Sequence, residues 1–229
     1  MPEHGPVAQC PGCAAADSGQ QLARDQRLDE RTFGLYLALA SPGLPKIGLT
    51  ARGGDRLAEQ GAWAFTWLTH GPLIRIRAME QAIARTGVAA ERYQRATKIT
   101  AWATRSDPVT RYSDLHAAYT RITEAIPWPG DLPLEHCQPI DHAELYGLDS
   151  LPARLSEVTA LRPGAVIVGT TRCLIGRELV LETSAGPMLL DTRLLCGWPL
   201  RRPAAPVCTG LTLAPLDLAG SSHDQITLF

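Results

Sequence analysis

Between residues 34 and 50 the chain is built to turn back on itself as two short strands. Gly34-Leu-Tyr-Leu-Ala-Leu-Ala40 is an apolar run of strand length, and Lys46-Ile-Gly-Leu-Thr50 is a second. Ser41-Pro-Gly-Leu-Pro45 separates them. Proline fixes φ and glycine tolerates positive φ, so this stretch turns the chain rather than extending either strand. Arg52-Gly-Gly then breaks regular structure, and Asp55 stands where it would cap a short helix running to Gln60. Trp63-Ala-Phe-Thr-Trp-Leu68 alternates and is rich in aromatic residues, the pattern of a third strand. Over residues 74–86, Ile76, Met79 and Ile83 share one helical stripe, with Gly87 at the C-terminal cap position. The expected order is strand–strand–helix–strand–helix, an α+β arrangement.

Two more helices are expected, over about 90–104 and 107–126; in the second, Val109, Tyr112, Leu115, Tyr119, Ile122 and Ile126 keep helical spacing. Pro127-Trp-Pro-Gly-Asp-Leu-Pro133 opens a Pro-rich linker over 127–149. Short alternating runs at 165–168, 178–181 and 188–191, divided by glycine and proline, predict a small β-barrel or sandwich module at 150–202. Residues 1–30 form a polar N-terminal arm with a Cys10-Pro-Gly-Cys13 turn, and 203–229 a Pro/Ala/Ser-rich tail expected to be flexible. Residues 31–126 make up the core with its helical extension.

The 229 residues are enough for one large domain or two small ones, and 45% of them are hydrophobic. No stretch approaches eighteen unbroken apolar residues, which excludes a helical membrane span. Met1-Pro-Glu-His-Gly-Pro6 lacks the basic and apolar regions of a signal peptide, so a cytoplasmic location is expected. Six cysteines are then read as thiols or metal ligands rather than disulfides. Net charge is −1, but it is unevenly spread: residues 50–111 carry ten Lys/Arg against five Asp/Glu, leaving 12 against 18 elsewhere. A basic centre in an acidic chain is a footprint for phosphate, or else a solvated helical surface.

Gly34-Leu-Tyr36 followed after nine residues by Lys46-Ile-Gly48 resembles the paired tripeptides of the GIY-YIG nuclease superfamily. Arg56, eight residues past Gly48, and Glu80, on the following helix, stand where that superfamily places an arginine and a metal-binding glutamate. Further segments, Glu59-Gln-Gly-Ala62, Leu68-Thr-His-Gly-Pro-Leu73 and Asp191-Thr-Arg-Leu-Leu-Cys-Gly-Trp198, resemble an uncharacterised actinobacterial family of GIY-YIG-related proteins over roughly residues 10–200. The resemblance implies a GIY-YIG-type β-β-α-β-α core that cleaves phosphodiesters with one Mg²⁺ or Mn²⁺ ion. Glu80 would hold the ion as Lewis acid and template. Arg56 would offer its planar fork to non-bridging oxygens. Tyr36 would relay a proton from the attacking water, provided the metal and Arg56 lower its pKa. Lys46 stands where most such nucleases carry a second tyrosine, and it can pair with phosphate. Singly, each residue has a plainer reading: Tyr36 packing in a strand, Glu80 ion-paired with Arg77, Lys46 a solvated strand end. Gln60, His70, Arg75, Arg77 and Lys98 are further candidates for phosphate contact.

Cys10-x-x-Cys13 is half of a zinc knuckle, and Cys137 with His136 or His142 is the best remote pair for a structural Zn²⁺. The last five residues, Gln225-Ile-Thr-Leu-Phe229, resemble the short peptide by which bacterial replication and repair proteins dock on the sliding clamp. Gln225 would hydrogen-bond at a pocket mouth, with Ile226, Leu228 and Phe229 supplying apolar contact. The first expectation is therefore a clamp-recruited, metal-dependent endonuclease of DNA repair or replication, with DNA favoured over RNA. The alternatives are a non-catalytic nucleic-acid-binding adaptor on the same scaffold and an enzyme acting on a small molecule.

Overall fold

The computed structural model of the chain describes residues 30–202 and 207–218. Cys10 and Cys13, and the segment 225–229, lie outside the described residues. The fold is α+β, with two sheets and five helices among the described residues. No described helix is long and apolar enough to cross a membrane.

The hairpin is present: β1 (Thr32–Leu39) and β2 (Pro45–Thr50) pair antiparallel, with Leu39 opposite Pro45 and Gly34 opposite Thr50. The turn closes where the sequence places it, with Leu44 N–H donating to Ser41 O at 3.0 Å. A short helix α1 (Asp55–Glu59) follows, then β3 (Ala64–Pro72), which pairs with the other edge of β1. Asp55 does not cap α1: the cap position falls on Gly54, without a side-chain hydrogen bond. Helix α2 (Leu73–Arg85) buries Leu73, Ile76, Met79 and Ile83. Helices α3 (Arg95–Ala101) and α4 (Pro108–Ala125) come next; Asp107 caps α4 by accepting from Thr110 N–H at 2.7 Å, and Pro108 opens its first turn.

Strand alternation sorts β1 cleanly. Phe33, Leu35, Leu37 and Leu39 face one way into a core completed by Ile47, α2 and α4, while Tyr36 and Ala38 face the other way toward Leu57 of α1 and Phe65. The first face carries the stabilising apolar mass; the second holds polar groups.

The stretch 127–149, expected as a linker, is instead packed. It runs beside β3, with Glu135 N–H donating to Leu68 O at 2.8 Å and His142 N–H to Trp63 O at 2.9 Å. It supplies β4 (Ile140–Asp141), which completes a sheet of order β2-β1-β3-β4, and the one-turn helix α5 (Ala143–Tyr146). Arg111, buried on α4, holds this segment by donating to Asp141 Oδ2 at 2.6 Å.

The expected barrel or sandwich at 150–202 is an open five-stranded sheet of order β6-β7-β8-β5-β9. Its strands are β5 (Arg154–Val166), β6 (Thr170–Ile175), β7 (Glu178–Thr183), β8 (Gly186–Asp191) and β9 (Thr209–Asp217). Strand β9 lies inside the region expected to be a flexible tail; it pairs with β5 from Arg154–Asp217 to Val166–Thr209. A shared core joins the two sheets: Trp63 from the first, Ile99 and Trp102 from α3, Tyr146 of α5, and Leu155, Ile175, Val180 and Leu189 from the second. Gly61 and Gly176, both at positive φ, abut backbone to backbone where the sheets meet; a side chain on Gly176 would collide with Gly61 N.

Candidate active site

The polar face of β1 and β2 builds the site from the bottom. Register places Tyr36 opposite Gly48 and Ala38 opposite Lys46, so Tyr36 and Lys46 rise from neighbouring strands. The Tyr36 ring lies across Gly48, where any Cβ would overlap its hydroxyl. Glycine is thus required at 48 by the tyrosine, and the two tripeptides are one packing unit. Gln60, just past the end of α1, completes it. Lys46 Nζ donates to Gln60 Oε1 at 2.7 Å and to Tyr36 Oη at 3.2 Å, and the Tyr36 hydroxyl donates to Gln60 Oε1 at 3.1 Å.

A second wall comes from the segment after α2. Ile47 N–H donates to Ala90 O and Ala90 N–H to Pro45 O, both at 3.0 Å, which docks residue 90 on the free edge of β2. Tyr93 Oη fastens the same segment to Pro45 O at 2.8 Å. The result is a pocket of about 190 Å³ with Tyr36, Lys46 and Gln60 on one side, Glu91, Arg92 and Tyr93 on another, and Lys98 of α3 closing it.

Charge in this pocket is unbalanced. Among the described residues no carboxylate stands within ion-pair distance of Lys46, Arg92 or Lys98. Burial pushes Lys46 down to about 8, and Lys98, Arg56 and Arg92 act in the same direction against Glu80. Burial also lowers Lys98, assisted by Arg177. Glu80 moves the other way, to about 7, raised by burial and then by Glu91, with Arg77, Lys46 and Arg92 opposing. Tyr36 is raised to about 12, by burial first and Glu80 second. At neutral pH its hydroxyl is a hydrogen-bond donor rather than a proton acceptor, contrary to the lowered pKa on which its expected relay role depended.

Of the four expected catalytic residues, Tyr36 and Lys46 are in direct contact. Glu80, half-buried on α2, is close enough to shift both. Arg56 donates to Glu59 at 3.1 Å; Glu59 also accepts from Arg52. Of the expected phosphate contacts, Gln60 and Lys98 line the pocket. His70 pairs with Glu135 and Arg75 with Asp131 on the surface, and Arg77 acts on Glu80 through its charge. Cys137 is half-buried beside Thr66. His142 is buried against Phe65 with Nδ1 on Ala62 O at 2.9 Å. The four described cysteines are free thiols, and no group of three or more His, Cys, Asp and Glu assembles among the described residues.

Arg92, Tyr93 and Glu91 were not singled out from the sequence, and only the tertiary docking of residue 90 on β2 brings them to the pocket. Arg95 was missed as well. Its guanidinium donates to both oxygens of buried Glu178, at 2.9 and 2.7 Å, and to Glu157, with Asp191 at 3.4 Å. This fork ties α3, which carries Lys98, to β5, β7 and β8.

No curated protein and no solved structure matches the chain. The family model that does match covers residues 9–200 and carries no link to GIY-YIG nucleases. The GIY-YIG membership expected from the tripeptides is therefore corrected, and roles borrowed from that superfamily lose their support; what remains is the geometry of the pocket. With most of its length matched, the chain belongs to the family described as Protein of unknown function (DUF2797).

Proposed function

We propose that the chain binds nucleic acid at this pocket and hydrolyses a phosphodiester there. The observation that carries the reading is a cluster of three cations, Lys46, Arg92 and Lys98, without paired carboxylates, around a hydrogen-bonded Tyr36–Lys46–Gln60 floor. Lys46 and Lys98, partly desolvated, call for an anion, and a phosphate accepts from them and from exposed Arg92 alike. Lys46, which has three N–H groups, would donate to a non-bridging oxygen and so favour the charge that builds there in the transition state. Gln60 would hold Lys46 and Tyr36 in place through its single carbonyl. Arg92 and Lys98 would hold the flanking backbone.

Glu80 suits a loosely held divalent ion better than a caged one. It is a half-buried carboxylate raised first by burial and then by the like charge of Glu91, a repulsion that bound Mg²⁺ or Mn²⁺ would relieve. Mg²⁺ is commonly bound through one or two carboxylates plus substrate phosphates. Such an ion supplies Lewis-acid polarisation of the phosphoryl oxygen. Glu80 is in the charged form this requires above about pH 7.

A second reading, binding without cleavage, is favoured by Tyr36, whose raised pKa removes the nearest candidate base. One experiment separates the two. Forked, nicked and single-stranded DNA and RNA are incubated with wild-type protein, Lys46→Ala and Glu80→Ala, with and without manganese. Manganese-dependent strand cleavage lost in both variants is expected. Retention of substrates without cleavage supports the second reading, and unaltered cleavage by both variants refutes the assignment of the site.

A further inference from the structure

An anion explains why the pocket is basic but not why Lys46 is placed as it is. Arg92 is exposed and Lys98 sits at the side, whereas Lys46 Nζ is set into the floor and, among the described residues, hydrogen-bonds to uncharged oxygens, those of Tyr36 and Gln60. A lysine fixed in a recess beside other cations has the environment of an amine nucleophile. The pocket, at about 190 Å³, is smaller than the roughly 300–1,000 Å³ that takes a drug-sized ligand, so it suits a fragment no larger than a sugar phosphate.

We propose that Lys46 Nζ condenses with the aldehyde of a phosphate-bearing sugar seated in this pocket, with Arg92 and Lys98 holding the phosphate. The inference rests on the nucleic-acid reading of the same site, and its substrate is the ring-opened sugar of a base-less nucleotide within a strand. The Nζ lone pair adds to C1′, giving a carbinolamine. The carbinolamine oxygen then leaves with two protons as water while the remaining nitrogen lone pair forms the C=N bond. One amine and one aldehyde thus give one imine and one water, with no oxidant, reductant or metal. The Tyr36 hydroxyl accepts from Nζ and donates to Gln60, so rotation of its O–H away from Gln60 would let it protonate the departing oxygen. The charged groups acting on Nζ are Lys98, Arg56 and Arg92, which favour the neutral amine, and Glu80, which opposes them; burial holds Lys46 near 8, so a usable fraction is neutral in mildly alkaline buffer.

The test is reductive trapping. Full-length protein in EDTA is mixed with a duplex bearing one base-less site and treated with sodium borohydride, which converts the imine to a stable secondary amine. A covalent protein–DNA adduct is expected, lost in Lys46→Arg, which keeps the positive charge but cannot form the imine. Peptide mass spectrometry of the wild-type adduct should place the sugar on Lys46, a readout independent of how the variant folds. Absence of an adduct, an adduct that survives in Lys46→Arg, or one that maps to another amine overturns the inference. Trapping of ribose 5-phosphate but not of the base-less duplex overturns the nucleic-acid source. Manganese-dependent cleavage of intact strands is scored in parallel. Cleavage without trapping sinks this inference alone, and trapping without cleavage sinks the hydrolytic reading alone.

Discussion

Glu80 shows best how one residue's surroundings set its chemistry. Burial drives this carboxylate toward its neutral form, and Glu91 adds like-charge repulsion against the opposing charge of Arg77. Its folded-state pKa of about 7 lies above the ordinary carboxylate value, so the stability it contributes is fully present below about pH 4.5 and is lost as pH rises through 7. Glutamine keeps the shape and cannot ionise. Glu80→Gln should therefore match wild type in urea unfolding at about pH 4 and exceed it at about pH 8. The margin should be about 1–2 kcal/mol once the full linkage value is discounted for partial solvent exposure. A variant less stable than wild type at pH 8 would mean that a fixed cation already pairs with Glu80. Saturating manganese should shrink the gap at pH 8, because the ion stabilises only the protein that still carries the carboxylate.

Elements place these groups, and here the chain divides between what local pattern encodes and what only packing creates. Tyr36, Lys46 and Gln60 were legible because a short hairpin and the helix after it set their spacing, and Gly48 marks the crossing of the tyrosine ring. Helices α2 and α4 were legible from their stripes. Strand β9 was not: Thr209–Asp217 holds a proline and is mostly exposed, as an edge strand permits, so it looks like tail. Strand β5 was missed because its burial follows no period of two and its pairing with β9 is interrupted by bulges. The wall at 91–93 and the Arg95 fork depend on contacts spanning tens of residues, which no window of sequence contains. That fork yields a prediction for α3. Arg95→Ala strips Glu178, 4% exposed, of its two short bonds and leaves the longer contact from Arg177 at 3.4 Å. Removing one member of a buried pair costs about 3–5 kcal/mol, toward the lower end here because Arg95 is partly exposed. Thermal unfolding should show that loss, and restoring balance with Glu178→Gln in the Arg95→Ala background should recover part of it. Full additivity of the two changes would show that they do not interact.

Across the whole molecule the arrangement of charge resolves the oddity of a net −1 chain with a basic pocket. The carboxylates of the second sheet are occupied: Glu157 and Glu178 by Arg95, Asp191 by Arg193 at 2.6 Å, Glu182 by Arg172 at 2.7 Å. On the first sheet Glu59 holds both Arg52 and Arg56. These acidic residues are thus neutralised in place, while Lys46, Arg92 and Lys98 face the pocket, beside Glu91, without ion pairs among the described residues. A phosphate backbone senses that local excess rather than the net charge, since screening removes distant charges beyond about 8 Å at physiological ionic strength. Binding to nucleic acid should then weaken with salt, the logarithm of affinity falling linearly with the logarithm of salt concentration. Each neutralised phosphate contributes a slope of about −0.9 on duplex DNA, so Arg92→Ala should make the slope shallower by about one. Arg52→Ala should leave it unchanged, because Glu59 already neutralises Arg52. Fluorescence anisotropy of a labelled duplex between 50 and 200 mM salt, about the range over which such contacts are resolved, measures both slopes. Equal slopes for wild type and Arg92→Ala would mean that the backbone does not enter this pocket.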